Sequence, residues 1–182
     1  MKRAPGRDTR PAYSDERRTW YGYGTLTRAK KSPWRRFLHD TSTVFADISI
    51  FGLPALLLAL FFPDASPYGV GATALVLWVT MTAVAAVIRG GWITPLGTDV
   101  RGWVSISLWL VVLRILYYNL IITVVVFTAP ALARAVGIPA LSLLLAVLAG
   151  ALATYAFPHL GERVYTRFDT TRTHDDEWLP GS

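Results

Sequence analysis

The chain has 182 residues, a length typical of one domain and too short for a multidomain enzyme. Hydrophobic residues make up 53% of it and charged residues only 16%, which is more apolar surface than a soluble domain of this size can bury. The composition therefore predicts a polytopic membrane protein, and the absence of cysteine excludes disulfides, iron–sulfur clusters and thiol catalysis.

The first 32 residues mix Arg, Asp, Gly, Thr and Pro without an apolar period, which predicts a flexible, basic cytoplasmic arm. From Pro33 onward, aromatic and apolar residues recur at helical spacing, and they predict an interfacial amphipathic helix over 33–43. Arg35 and Arg36 fall largely on other faces of this helix, where they either bind anionic lipid or only set the topology. We favour the topological role.

Four apolar stretches follow, and each is long enough to cross a hydrocarbon core, which takes roughly 20 helical residues. They cover 44–62, 68–88, 104–129 and 138–158. Prolines and glycines mark the short connections, which make sequential helices antiparallel neighbours. The sequence therefore predicts an all-α protein, a four-helix transmembrane bundle over 33–160 with a cytoplasmic tail over 161–182.

The positive residues are distributed unevenly between the two ends of these spans. The segment before the first span, the second connection and the tail hold 16 of the 18 Lys and Arg residues, whereas the third connection holds only Arg134. Because cytoplasmic segments carry this excess, both termini should lie in the cytoplasm, with the spans in the cytoplasmic membrane. Topology thus accounts for the net charge of +6, and we expect no nucleic-acid partner. The excess of Arg over Lys favours a prokaryotic source.

Two charged residues fall inside the predicted spans, Asp47 in the first and Arg114 in the third. Charges within a membrane are costly, so these two residues either pair to hold the bundle together or serve transport. Tyr118 follows Arg114 by one turn and shares its face, while Asn119 lies on a neighbouring face. We favour the structural pair over a role in transport.

Two further patterns concern the shape and packing of the helices. Pro54 follows Gly52 in the first span, and its missing N–H predicts a kink there. The fourth span has a small residue at every fourth position, which lets another helix of the same bundle or of a second copy approach closely. These residues are Ser142, Ala146, Gly150 and Thr154.

No motif in the sequence names a reaction. The metalloprotease pattern H-E-x-x-H, a phosphate-binding loop and the nucleophile elbow G-x-S-x-G are all missing, and no histidine lies in the middle of a span. We therefore expect no cofactor or metal. We interpret the chain as a non-enzymatic accessory, assembly or scaffold component of the membrane, with anionic lipid and either further copies or a larger membrane complex as partners. The alternative is a small transporter or channel subunit that uses Asp47 and Arg114.

Overall fold

Five α-helices contain most of the residues that the structure describes. The structure is a computed structural model that describes residues 33–62, 64, 66, 68–90, 92–97 and 108–168. In chain order the helices are α1 (Pro33–Phe51), α2 (Leu53–Phe61), α3 (Val70–Gly90), α4 (Leu108–Val136) and α5 (Leu141–Phe168). The predicted all-α class is confirmed. The predicted arm, the first residues of the predicted third span and the end of the tail lie outside the described residues.

Three of the helices, α3, α4 and α5, are long and apolar enough to cross a membrane. Helices α1 and α2 pass the same test only as a pair, which bends by 71° at the residue between them. Large apolar side chains point outward from the helices: Leu60, Leu116 and Leu152 are 71%, 65% and 67% exposed. Soluble monomers rarely expose so much apolar surface, so these helices are compatible with a membrane protein.

The contacts between helices define two ends of the bundle. Helix α5 packs against α3 and α4, α1 mainly against α3, and α2 mainly against α4. The Ser142 hydroxyl, at the start of α5, donates to the carbonyl of Tyr68 just before α3, at 2.8 Å. Helices α3 and α5 therefore begin at the same end of the bundle, which we call the Ser142 end. Helix α4 ends there. Arg89, in the last turn of α3, lies at the opposite end, which we call the Arg89 end.

The structure differs from the prediction just before the first predicted span and in the middle of that span. The predicted interfacial helix over 33–43 is not a separate element, because it forms the first half of α1 and continues without a break to Phe51. Asp40 and Val44 of this helix are buried against the bundle, whereas Trp34 and Leu38 are exposed. The predicted helix over 44–62 is interrupted at Gly52, where the structure has the bend that Pro54 predicts.

Two prolines that mark the ends of predicted spans lie inside helices. Helix α4 continues beyond Ala129 through Pro130, and α5 continues through Pro158 into the predicted tail. Each proline removes one backbone hydrogen bond, but a helix packed against neighbours can keep its course on the remaining bonds. The helices therefore extend beyond the predicted span ends at 129 and 158.

Helix α4 ends at Val136 instead, and the reason is the conformation of the next residue, Gly137. Gly137 has φ 77°, a region that residues with a Cβ rarely adopt. Its N–H donates to the Arg134 carbonyl, and the N–H of Ile138 donates to the Ala133 carbonyl, at 3.1 and 3.0 Å. This pair of bonds is the Schellman motif, and it turns the chain directly into α5.

Asp64 organises the connection between α2 and α3. Its carboxylate accepts hydrogen bonds from the backbone N–H groups of Ser66 and Val70, at 3.0 and 3.1 Å. Its Oδ2 atom also lies 3.6 Å from Nη1 of Arg134, in the last turn of α4. The two backbone donors and the Arg134 charge hold the pKa of Asp64 below its usual value. The connection after α2 is thus tied to the Ser142 end.

The lowered pKa of Asp64 predicts a pH-dependent contribution to stability. Because the folded-state pKa lies below that of the unfolded chain, the carboxylate stabilises the fold above a pH of about 3.8, and this contribution disappears as the pH falls through the folded-state pKa. Asp64→Ala should therefore lower the Tm near neutral pH, with a difference from wild type that shrinks below this pH. Thermal unfolding in detergent, near neutral pH and again below a pH of about 3.8, measures the effect. Asp64→Asn is the control, since it keeps an acceptor that does not titrate, and an equal Asp64→Ala deficit at both pH values contradicts the prediction.

Candidate functional site: paired charges beside a broken helix

Asp47 and Arg114 form an ion pair inside the bundle, with 3.1 Å between Oδ1 and Nη1. Their side chains are only 10% and 3% exposed. Tyr118 donates its hydroxyl proton to the other carboxylate oxygen, Oδ2, at 3.2 Å. The Arg114 guanidinium also lies over the ring of Phe51, with Cζ 5.7 Å from the ring centroid. Both oxygens of the buried carboxylate therefore have partners, which offsets part of the cost of removing the charges from water.

Helical spacing places these groups together. Arg114 and Tyr118 are one turn apart on α4, so both reach the single carboxylate that α1 presents. Arg114 is the seventh residue of α4, about 9 Å along the helix at 1.5 Å per residue. Since α4 begins at the Arg89 end, the ion pair lies in that half of the bundle.

A second buried ion pair, which the sequence does not predict, joins α1 to α3. Nε of Arg89 lies 3.1 Å from Oδ1 of Asp40, and the two side chains are 8% and 3% exposed. Sequence alone gives little reason to bury Arg89, because two glycines follow it and mark a connection. One signal was present, since Asp40 and Asp47 are seven residues apart and so share one helix face. We call Asp40, Asp47, Arg89 and Arg114 the charge cluster.

Asn119 bridges the break between α1 and α2. Its Nδ2 donates to the Phe51 carbonyl at 2.7 Å, and its Oδ1 accepts from the Ala55 N–H at 2.9 Å. In an unbroken α-helix the Ala55 N–H would donate to the Phe51 carbonyl directly. The Asn119 amide therefore sits inside the backbone ladder and supplies both partners that the bend separates, as inserted side chains do at sharp kinks. Of the four predicted polar residues, Asn119 is the one bound to the bend rather than to the carboxylate.

Gly52 allows α4 to lie close to the bend. A Cβ at this position would lie 2.7 Å from the Ile48 carbonyl oxygen and 2.8 Å from Cδ1 of Ile122, both closer than side chains normally approach. On the α3 side, the indole N–H of Trp78 donates to the Ser49 hydroxyl at 3.2 Å. The last turn of α1 is thus held by close packing and by a hydrogen bond, one turn from the ion pair of Asp47.

The small residues of α5 face α3 of the same chain. Ser142, Ala146, Gly150 and Thr154 are all buried. A Cβ at Gly150 would lie 2.9 Å from Cδ1 of Leu77 and 3.5 Å from Cγ of Met81. The sequence left open whether this face packs against a helix of the same bundle or against a second copy. In the structure it packs against α3 of the same chain.

A larger side chain at Gly150 should force α5 away from α3. We expect Gly150→Leu to destabilise the protein by about 1–3 kcal/mol, the usual cost of overpacking a filled interface. Gly71→Leu is the matched control, because a Cβ at Gly71 meets no atom within 4 Å. Denaturant unfolding in detergent measures both variants. Equal stability of the two variants would show that the close approach at Gly150 is unimportant.

Residues 31–164 match the model of the family described as "Domain of unknown function (DUF8215)". The match covers more than half of the 182 residues. The chain belongs to the DUF8215 family. The charge cluster, the bend and Asn119 all lie within the DUF8215 region. No curated protein and no solved structure matches the chain.

The chemistry of this DUF8215 site is that of paired charges. Among the residues that the structure describes, no group of three or more His, Cys, Asp or Glu side chains could hold a metal ion. The side chains of Arg35 and Arg36, predicted to face lipid, lie outside the described part of the chain. Asp40 ties α1 to α3, and Asp47 ties it to α4. The charge cluster therefore holds the more polar helix α1 against the apolar helices α3 and α4.

Proposed function

We propose that this chain is a small, non-enzymatic integral membrane protein, an accessory, assembly or scaffold component of the cytoplasmic membrane. In this proposal the chain crosses the membrane four times, with both termini in the cytoplasm. Its partners are anionic lipid at the cytoplasmic face and either further copies of the chain or a larger membrane complex.

The path of α1 and α2 supports four crossings. Asp40 of α1 binds Arg89 at the Arg89 end, whereas Asp64, just after α2, contacts Arg134 at the Ser142 end. A re-entrant loop would bring both of its ends back to one side of the membrane. A pair whose two ends lie at opposite ends of the bundle is better explained as one broken span.

The distribution of charge supports the orientation. The exposed Arg163 and Arg167 follow the apolar part of α5 at the Arg89 end, where α1 also begins. Arg134, 60% exposed, is at the Ser142 end. Because positive residues are retained on the cytoplasmic side, the Arg89 end should face the cytoplasm.

Topology can be tested with fusions at three positions. Alkaline phosphatase, which is active only outside the cytoplasm, should be inactive after Ser182 and active after Gly137. An epitope tag before Met1 should be protected from protease added to spheroplasts, because four crossings return the chain to its starting side. A tag that is digested while the Ser182 fusion stays inactive would instead fit a re-entrant α1–α2 pair.

One observation carries the non-enzymatic, structural role. Three polar residues within the bundle bind groups of the bundle itself: Asp47 binds Arg114 and Tyr118, and Asn119 binds the backbone at the bend. Groups used in this way stabilise helix contacts. A bundle fixed like this is suited to presenting its termini to a partner.

The structural role can be tested with a variant that lacks the Asp47–Arg114 pair. Asp47→Leu combined with Arg114→Met removes both charges but keeps apolar volume. If the chain is an accessory subunit, wild type and double variant should both purify from membranes in mild detergent with the same partner at a fixed molar ratio. The proposal fails if the purified wild type conducts ions in liposomes and the double variant does not.

The bend favours a transporter or channel subunit as the second candidate function. Substrate and ion sites of many transporters lie where a span is broken, and here Asp47 lies about one turn from the break at Gly52. Flux in liposomes that is lost in the double variant would support this second function.

A further inference from the structure

Aromatic side chains from two separate segments meet at the Arg89 end of the bundle. In the first turns of α1, the rings of Trp34 and Phe37 stack with their centroids 5.7 Å apart. The Phe37 ring also contacts the ring of Trp92, in the connection after α3, at 5.3 Å. Trp34 and Trp92 are 65% and 50% exposed, so both rings belong to the outer surface of the bundle. We call Trp34, Phe37 and Trp92 the aromatic cluster.

Exposed aliphatic side chains flank the aromatic cluster in the same two segments. Leu38 follows Trp34 by one turn of α1, and Ile93 and Leu96 follow in the connection. The connection is held on the bundle, because the N–H of Leu96 donates to the Tyr155 carbonyl of α5 at 3.4 Å. This apolar surface is therefore part of the folded bundle.

The length of α3 places the aromatic cluster at the edge of the hydrocarbon. Helix α3 has 21 residues and is thus about 32 Å long, close to the roughly 30 Å of a hydrocarbon core. Its last residue is Gly90, where a Cβ would lie 3.4 Å from the Trp92 ring. In a chain that crosses the membrane through α3, this is the level at which headgroups begin. Tryptophan is enriched there because its ring is apolar and its N–H is polar.

The residue types of this surface favour lipid over a further helix as its partner. Helices approach one another in membranes through small residues, as α5 approaches α3 at Gly150. The surface around the aromatic cluster instead consists of large side chains from a helix start and a connection. The exposed Arg163 and Arg167 of α5 lie at the same end, where positive charge attracts anionic headgroups.

We propose that the aromatic cluster, with Leu38, Ile93 and Leu96, is a lipid-binding surface at the boundary between acyl chains and headgroups. Its apolar side chains contact acyl chains, and the indole N–H groups donate to oxygens of headgroups or water. The surface fixes the depth of α1 and so keeps the ion pair of Asp40 and Arg89 just inside the membrane. This inference rests on the membrane crossings of the proposed function, but not on their orientation or on the accessory role.

Single nitroxide labels can measure this depth, because the chain has no cysteine and each variant introduces the only thiol. Oxygen is concentrated in hydrocarbon and a soluble nickel chelate stays in water, so the ratio of their collision rates with a label rises with depth. Leu38→Cys and Leu96→Cys report on the surface. Val79→Cys, in the middle of α3, is the deep reference, and Arg167→Cys, in the last turn of α5, is the aqueous one. All four residues are exposed.

In vesicles of phosphatidylcholine and phosphatidylglycerol, we expect the oxygen-to-nickel ratios at Leu38 and Leu96 to lie between those at Val79 and Arg167. Ratios as low as at Arg167 would place the surface in water and overturn the proposal. Labels shielded from both reagents would show that protein covers the surface, which also overturns it. A low ratio at Val79 would instead overturn the membrane crossing itself. Ile93→Cys replaces either surface variant that does not fold.

Trp34→Ala combined with Trp92→Ala tests whether the two rings hold the surface at this depth. The oxygen-to-nickel ratio at Leu38 should fall toward the aqueous value, while that at Val79 stays unchanged. Trp109→Ala is the matched control, because Trp109 is an exposed tryptophan at the same end, at the start of α4. An unchanged ratio in the double variant, or an equal fall in the control, would overturn the anchoring role.

Discussion

Replacing Arg114 by methionine should destabilise the protein by about 3–5 kcal/mol, because the substitution leaves the Asp47 carboxylate buried without its cation. Asp47 is 10% exposed, and its remaining hydrogen bond comes from the Tyr118 hydroxyl at 3.2 Å. A single neutral donor does not compensate a charge in these surroundings. Denaturant unfolding of the purified protein in detergent measures the loss.

Three variants show whether this loss of stability comes from the ion pair or from the other contacts of the Arg114 side chain. Asp47→Leu combined with Arg114→Met should recover most of the loss, since an apolar pair of similar volume carries no desolvation cost. Asp47→Arg combined with Arg114→Asp should also recover folded yield if the pairing itself is what matters. Arg134→Met, at a residue 60% exposed, should change stability by less than about 0.5 kcal/mol. If Arg114→Met lowers the free energy of unfolding by no more than Arg134→Met does, the buried ion pair does not stabilise the protein.

The contact between Asp47 and Arg114 could be predicted from the sequence, because it follows from two general properties of charges in membrane spans. Charges are rare inside apolar spans, and a single acid and a single base in two spans of one bundle have a strong reason to meet. Tyr118 followed from helical spacing alone. The four apolar segments were accessible in the same way, because hydropathy and length depend on no neighbouring element.

The pair of Asp40 and Arg89 was not accessible in this way, because it depends on where each helix ends. Arg89 is followed by two glycines and belongs by sequence to a connection, but α3 continues through it to Gly90. Pro130 is a second case of the same kind. Proline at a predicted boundary indicates a helix end, whereas packing keeps α4 helical to Val136. In both cases tertiary contacts decide the boundary.

Replacing Asn119 by leucine should destabilise the protein by at least about 2 kcal/mol, because the Phe51 carbonyl and the Ala55 N–H lose their partner at the bend. The two backbone groups can regain a bond only by meeting each other, which requires α1 and α2 to straighten. Pro54 resists this change, since its ring clashes with the preceding helical turn. The sequence identifies Asn119 as a polar residue within an apolar span. It could not predict the hydrogen bonds of Asn119 to the bend, because they depend on how α4 is aligned along α1 and α2.

Pro54→Ala supplies the test of this role. Combined with Asn119→Leu, it should recover part of the stability, because the Ala55 N–H can then donate to the Phe51 carbonyl in a continuous helix. Spin labels at Ser42→Cys and Leu60→Cys, both exposed, report the bend in each variant. The distance should rise toward the roughly 27 Å that 18 residues span in a straight helix. If the double variant is no more stable than Asn119→Leu and keeps the wild-type distance, packing at Gly52 holds the bend, and the Asn119 amide only fills a gap that the packing creates.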